Sequence, residues 1–245
     1  TAGTFTQTDG SLDVATTGNL NASGAITAGQ GGDVSLASGN GTVTVTQAFT
    51  SQGNLTVEGQ QIVLNGGSVN TSGTQHYTGA VVLGADTTLM ASALTVDGTV
   101  NGAQALTVNA NTGDVAFNDA VGGTTRLGAL VVNTAGETKF GAVRAASVLT
   151  DDPGTVVLTG DVNTTGTQTY GELVTLAANV TLTGATVSMA NGVDASTDGG
   201  QSLTVQGNAV LGNVGDNYAL SSLTVNGAST LSGPAVNTTG AQNYN

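Results

Sequence analysis

Few residues in this 245-residue sequence have the side chains that chemistry usually needs. A hydrolase built on a nucleophile, a base and an acid needs a histidine to carry the proton, and the one histidine is His76. It falls inside an octet that recurs twice, with Thr169 and then Asn243 in its place. A position that takes imidazole, hydroxyl or amide alike is expected to face solvent on a strand, not to act as a general base. A single histidine and no cysteine cannot make the usual zinc site, and thiol chemistry and disulfides are excluded outright.

The three basic residues, Arg126, Lys139 and Arg144, lie close together in the sequence, with Asp151 and Asp152 just beyond. A polysaccharide lyase on a coiled β scaffold would use Arg or Lys as base and Asp-bound calcium to acidify the sugar. Such a site needs several carboxylates on neighbouring turns, and no such enrichment is seen. The group therefore reads as a small ion-paired surface patch. Gly31-Gly32-Asp33 only partly matches a calcium-binding nonapeptide. Asp194, Asp198 and Asp216 read as solvated acids that could at most hold calcium loosely. The sequons at Asn54 and Asn179 follow from the abundance of Asn and Thr. No catalytic, cofactor-binding or metal-binding residue is expected, and the chain is not expected to be an enzyme.

The scaffold for these residues is unusual in composition. Charged residues make up 8%, where soluble domains carry about a quarter. Surface polarity must come from Thr, Ser, Asn, Gln and Gly, while abundant Val, Leu and Ala argue for a folded chain. A net charge of −13 with three cations excludes phosphate-driven binding of nucleic acid and disfavours an anionic membrane surface. No segment has the length of apolar sequence that spans a bilayer, and residues 1–30 lack the basic start and apolar run of a signal peptide.

The sequence is organised by repeats. Asn70-Thr71-Ser72-Gly73-Thr74-Gln75-His76-Tyr77 returns as Asn163-Thr164-Thr165-Gly166-Thr167-Gln168-Thr169-Tyr170 and as Asn237-Thr238-Thr239-Gly240-Ala241-Gln242-Asn243-Tyr244. The spacings are 93 (163 − 70) and 74 (237 − 163), which differ by 19. A rung of roughly 18 to 19 residues would make these five rungs and four, giving super-repeats near 70–162 and 163–236. At finer scale, apolar-polar-apolar triplets recur: Leu55-Thr56-Val57, Leu94-Thr95-Val96, Leu106-Thr107-Val108, Leu203-Thr204-Val205 and Leu223-Thr224-Val225. That is the period of a half-buried strand, and Asn-Gly pairs such as Asn40-Gly41, Asn65-Gly66, Asn101-Gly102, Asn191-Gly192 and Asn226-Gly227 separate the strands.

Asn-Gly pairs also serve hairpins, but a sandwich buries large side chains, and aromatics here are 3% with no Trp. The pattern predicts an all-β chain: a right-handed parallel β-helix of about 13 rungs, roughly 60 Å long, with handedness set by the crossover rule. Residues 1–245 should form one continuous coil with loops at Asp151-Asp152-Pro153-Gly154 and Ser232-Gly233-Pro234, where Pro removes a ladder donor. The pattern is under way at the start and runs to the end, so further rungs are expected on both sides. Tyr77, Tyr170 and Tyr244 should fill the same corner of each super-repeat, the alternative being a row of external sugar-stacking platforms. Thr42-Val43-Thr44-Val45-Thr46 and Thr181-Leu182-Thr183 raise ice binding, which would need Thr pairs in register on every rung.

The stretch from Gly53 to Thr71 (Gly-Asn-Leu-Thr-Val-Glu-Gly-Gln-Gln-Ile-Val-Leu-Asn-Gly-Gly-Ser-Val-Asn-Thr) resembles the shaft repeats of filamentous-haemagglutinin-like exoproteins, adhesins exported by two-partner secretion. So do Phe117-Asn118-Asp119-Ala120-Val121-Gly122-Gly123 and the three octets, and the similarity runs from about Gly18 onward. The resemblance implies a β-helical rod at the bacterial cell surface or secreted from it, whose partner is an outer-membrane transporter. It also implies a role in adhesion, aggregation or biofilm matrix attachment, through a distal tip and with a host-cell or matrix polysaccharide as ligand. The stalk of a contact-dependent toxin and a lyase-like carbohydrate-active coil are the alternatives. The secretion-signal domain of such proteins is not among these residues.

Overall fold

A computed structural model of the chain describes residues 5–7, 10–24, 26–28, 31–150 and 153–245. The described residues contain no α-helix, and every strand pairing is parallel. The strands lie on three faces, A, B and C, visited in that order on each turn.

Face A is defined by the inward column Leu12, Val34, Leu55, Gln75, Leu94, Val115, Thr138, Val156, Val174, Val193, Val214 and Val236. Face B carries Leu20, Val43, Ile62, Val81, Val100, Val121, Val143, Val162, Leu182, Val205, Val225 and Tyr244. Face C carries Thr87, Leu106, Leu130, Val148, Gln168, Val187, Ala209 and Ser229. The triplets are strands, as their period requires: Leu94 and Val96 are buried while Thr95 between them is half-buried. One hydrophobic cluster runs without interruption from Leu20 to Val225. The coil is narrow enough for small aliphatics to fill, and Phe117 and Phe140, partners on successive turns of face A, stack at 5.8 Å.

The β-helix is thus present, but with about 11 turns and not 13. The 224 residues from Leu12 to Val236 make eleven turns, about 20 residues each. Turn length is not constant: Thr138 and Val156 are 18 apart, whereas Val115 and Thr138 are 23 apart because a loop at Gly122–Arg126 is inserted between them.

Corners are held by Asn and Asp. At a corner the backbone leaves the ladder, and a side-chain oxygen replaces the missing carbonyl. Asp33 Oδ1 accepts from the Asn54 amide (2.8 Å) and Asn54 Oδ1 from the Thr74 amide (2.8 Å), one turn each along the axis. Asp86, Asp161, Asn179 and Asn208 do the same for Ala105, Thr181, Ser202 and Ala228. These substitutes keep the hydrogen-bond ladder running between the strands and so along the whole coil.

The repeated octet is also a corner device. Gln75 Nε2 donates to the carbonyls of Val69 (3.0 Å) and Met90 (2.9 Å), and Tyr77 OH donates to Gln75 Oε1 (2.9 Å). Gln168 and Tyr170 repeat the arrangement on Val162 and Thr183, and Gln242 repeats its first part on Val236. Tyr77 and Tyr170 point inward and are 1% exposed, so the sugar-platform reading fails for both; Tyr244 is 43% exposed. Burial raises both inner phenols well above their usual pKa, and they remain donors.

The three octets do not occupy one place in the coil. The first rounds the C-to-A corner, the second B-to-C and the third A-to-B. From Tyr77 the face A column passes Val96, Phe117 and Phe140 to Leu158 in four turns, and the chain then crosses face B to reach Tyr170 on face C. The spacing of 93 is therefore four and two-thirds turns, and 74 is three and two-thirds; the expected five and four rungs are corrected accordingly. The 93-residue step extends beyond the octet, matching inward Val81, Leu83, Leu89, Val100, Val121, Leu130 and Val143 with inward Val174, Leu176, Leu182, Val193, Val214, Leu223 and half-buried Val236. Each member lies one face back from its counterpart. The octet can move because the three corners offer the same backbone acceptors.

Thr138 breaks the pattern. It stands between Val115 and Val156, is fully buried, and its hydroxyl has no hydrogen-bond partner among the described residues. Thr138→Val keeps the shape and removes the orphaned group, so it should stabilise the coil by about 1–2 kcal/mol. A denaturant midpoint that falls instead would show that the hydroxyl has a partner in solution.

Candidate functional site

The residues singled out for chemistry lie mostly apart and in structural roles. His76 faces outward on face A, in a shallow groove with Asp13, Asp33, Ser35, Asn54 and Thr56. Its Nε2 meets Asp97 Oδ2 at 2.7 Å, and Asn118 Nδ2 donates to Asp97 Oδ1 at 2.8 Å, so the three residues climb three successive turns. The hydrogen bond with His76, and then that from Asn118, lower the Asp97 pKa below the usual carboxylate value. Among the described residues no hydroxyl is hydrogen-bonded to the imidazole. The arrangement is an exposed polar ladder without a nucleophile in place.

Arg126 and Arg144 lie on successive turns of face B, just before the paired Leu127 and Ala145, and among the described residues they bond to backbone carbonyls and to Asn163. Arg126 Nη1 donates to the carbonyls of Ala145 (2.9 Å) and Asn163 (2.7 Å), and Nη2 to Asn163 Oδ1 (2.6 Å), so one guanidinium ties three turns together. Arg144 Nη1 donates to the carbonyl of Gly123. Carbonyl oxygens, each with two lone pairs, accept from these guanidinium N–H donors. Lys139 lies on face A, between Ala116 and Val157, away from both arginines. Asp151 and Asp152 fall outside the described residues.

Asp33, Asn54 and Asn179, considered above for calcium or as sequons, serve as the corner acceptors already described. Asp198 does the same for the Ala219 amide (2.9 Å). Among the described residues no three of His, Cys, Asp and Glu are grouped closely enough to hold a metal ion. The Thr pieces do not make an ice-binding array either: Thr42 and Thr44 face Gln61 and Val63 on the next turn.

Among the described residues, two of the loops that leave the coil are copies of one another. Val121-Gly122-Gly123-Thr124-Thr125-Arg126-Leu127 projects from face B, and Val214-Gly215-Asp216-Asn217-Tyr218-Ala219-Leu220 from face A, 93 residues on (214 − 121). Each starts at a glycine with φ near +70°, Gly122 (+71°) and Gly215 (+66°), where the chain turns outward. Each folds over an Asx side chain one turn back. Asn101 Oδ1 accepts from the Thr124 amide (2.9 Å) and hydroxyl (2.8 Å); Asp194 accepts from the Asn217 amide (3.3 Å) and Nδ2 (2.7 Å). Asp194 is 3% exposed as a result, not the solvated acid its sequence context suggests.

The second loop walls a groove of about 640 Å³ floored by Leu173, Thr175 and Ser196, with Asp216 and Tyr218 on the loop side. Tyr218 is 51% exposed. A lone tyrosine outside the octets carries no period; the signal that finds it is the Val-Gly-(four residues)-Leu pair at the 93-residue step. Among the described residues no helix is long and apolar enough to cross a membrane. Comparisons with protein-family models, with curated proteins and with solved structures find no match.

Proposed function

We propose that this chain is a length of structural shaft from a large bacterial surface adhesin, exported through an outer-membrane partner, which holds a distal adhesive or toxic part away from the cell and does no catalysis itself. The observation that carries this reading is the single core from Leu20 to Val225, inside a coil whose interior strands, among the described residues, are tied to the turns on both sides by ladders or single bridges. A continuous ladder resists local opening and bending, which is what a stalk requires. The composition supports the same reading: a polar, weakly charged and cysteine-free chain suits export in an unfolded state and folding outside. Arg126, the best lyase base, has its guanidinium engaged on two carbonyls and an amide oxygen.

The test is made in the bacterium that encodes the chain. Antibody raised against residues 10–245 should label intact cells, and the label should disappear when the outer-membrane transporter gene is deleted. Labelling only after lysis in the parent strain would overturn the reading. So would release of unsaturated sugars from acidic polysaccharide by the purified chain with calcium.

A further inference from the structure

We propose that the groove under the Gly215–Ala219 loop on face A is a binding site for a neutral saccharide, with Tyr218 as its stacking platform. The first argument is the loop's own internal control. The Gly122–Arg126 loop has the same glycine start and the same Asx clamp, with Gly123, Thr124 and Thr125 at the positions of Asp216, Asn217 and Tyr218. Holding the loop therefore requires neither an aromatic ring nor an exposed carboxylate. In the second copy those positions hold the groups that bind a pyranose: a flat apolar face for its C–H surface, and acceptors and donors for its hydroxyls.

The second argument is how this chain otherwise treats tyrosine. Tyr77 and Tyr170 are fully enclosed with their hydroxyls satisfied by glutamine, whereas Tyr218 keeps half its surface in water at the edge of a concave site. A groove with one aromatic wall and a few convergent polar groups, Thr175, Ser196 and Asp216, has the usual make-up of a small-molecule site. Asn217 fixes the loop by donating twice to buried Asp194, so less ordering is needed when a ligand arrives.

Charge selects the ligand class. Asp216 and Asp194 line the groove of a chain with net charge −13, so uronates and sulfated sugars are repelled and a neutral polyhydroxylated ring is favoured. This inference does not rest on the shaft reading, which makes no demand on the groove.

Affinity electrophoresis of the purified chain tests it, in gels containing galactomannan, xyloglucan, dextran or mixed-linkage glucan, with alginate and hyaluronate gels beside them. Retardation is expected in at least one neutral gel and in neither anionic one. Tyr218→Ala should weaken it about tenfold and Tyr218→Phe should keep it. Thermal unfolding of both variants should match the parent, because the Thr125 loop shows that the scaffold stands without the ring. Retardation in no neutral gel would overturn the proposal, as would retardation unchanged in Tyr218→Ala. Binding that appears only with added calcium and ignores Tyr218 would also overturn it, in favour of a cation site.

Discussion

Gly207→Ala is expected to lower the unfolding free energy by about 3–5 kcal/mol. Gly207 has φ +145°, a conformation that L side chains rarely adopt, and an added Cβ would land on the carbonyl oxygen of Gly184 one turn back. Both glycines lie where faces B and C run together into long strands, Val180–Met189 and Ser202–Leu211, and the register shifts between Thr183 and Thr186. The backbone cannot retreat, because the same segment is paired on its other side with Ser222–Val225 and Ser229–Leu231. Gly79, with φ +153° over the Gly59 carbonyl, is the counterpart at the A-to-B bend. Gly39→Ala is the control: its Cβ would meet nothing closer than the Thr16 carbonyl oxygen at 3.7 Å, and a change within about 0.5 kcal/mol is expected. Urea denaturation followed by circular dichroism measures both. Equal midpoints for the two variants would mean that the bend is not packed as described.

Gln168→Ala should cost a similar amount, about 3–5 kcal/mol, for a different reason. The carboxamide is fully buried and joins two carbonyls, Val162 and Thr183, to the Tyr170 phenol. Truncation takes the acceptor from the buried Tyr170 phenol and a donor from each carbonyl, of which Thr183 keeps the Thr164 hydroxyl, and leaves a void between Val148 and Val187. Gln168→Leu fills the void but still strands the phenol. Adding Tyr170→Phe to Gln168→Leu should then recover about 1–2 kcal/mol, although Tyr170→Phe alone is destabilising. That reversal of sign in a double-mutant cycle is the signature of the network. Strictly additive losses would show that glutamine and tyrosine act separately.

Much of the architecture is legible in the residues. Alternating triplets such as Leu203-Thr204-Val205 declare strands, because a period of two can bury only one side, and scarce aromatics point to a narrow interior. The number of turns is not legible, because a rung length read from the difference between two octet spacings requires each to span whole turns. Nothing in Asn-Thr-x-Gly-x-Gln-x-Tyr says which corner it rounds, since its hydrogen bonds go to backbone carbonyls that every corner supplies. The same blindness hides the paired loops: Gly122 and Gly215 look like any other turn glycine until Val121 and Val214 are seen bridging to neighbouring turns. For the arginines the spacing puts them on successive turns, whereas their carbonyl acceptors leave no trace in residue type. Asp194 misleads for a related reason: its burial comes from a loop 23 residues later.

The step of four and two-thirds turns also has a meaning for how such a chain can change in length. If a duplicated block had to span whole turns to keep its apolar residues inside, recombination between copies would be confined to one offset per turn. Because an inward residue of one face is equally at home on the next, crossovers at any third of a turn leave the interior intact. A block copied at that offset also comes out rotated, so that a feature borne on one side of the parent, such as a projecting loop, is carried to another side in the copy. Growth by duplication would then wind surface features around the axis, and the rod would meet its surroundings from every direction without any new sequence being invented.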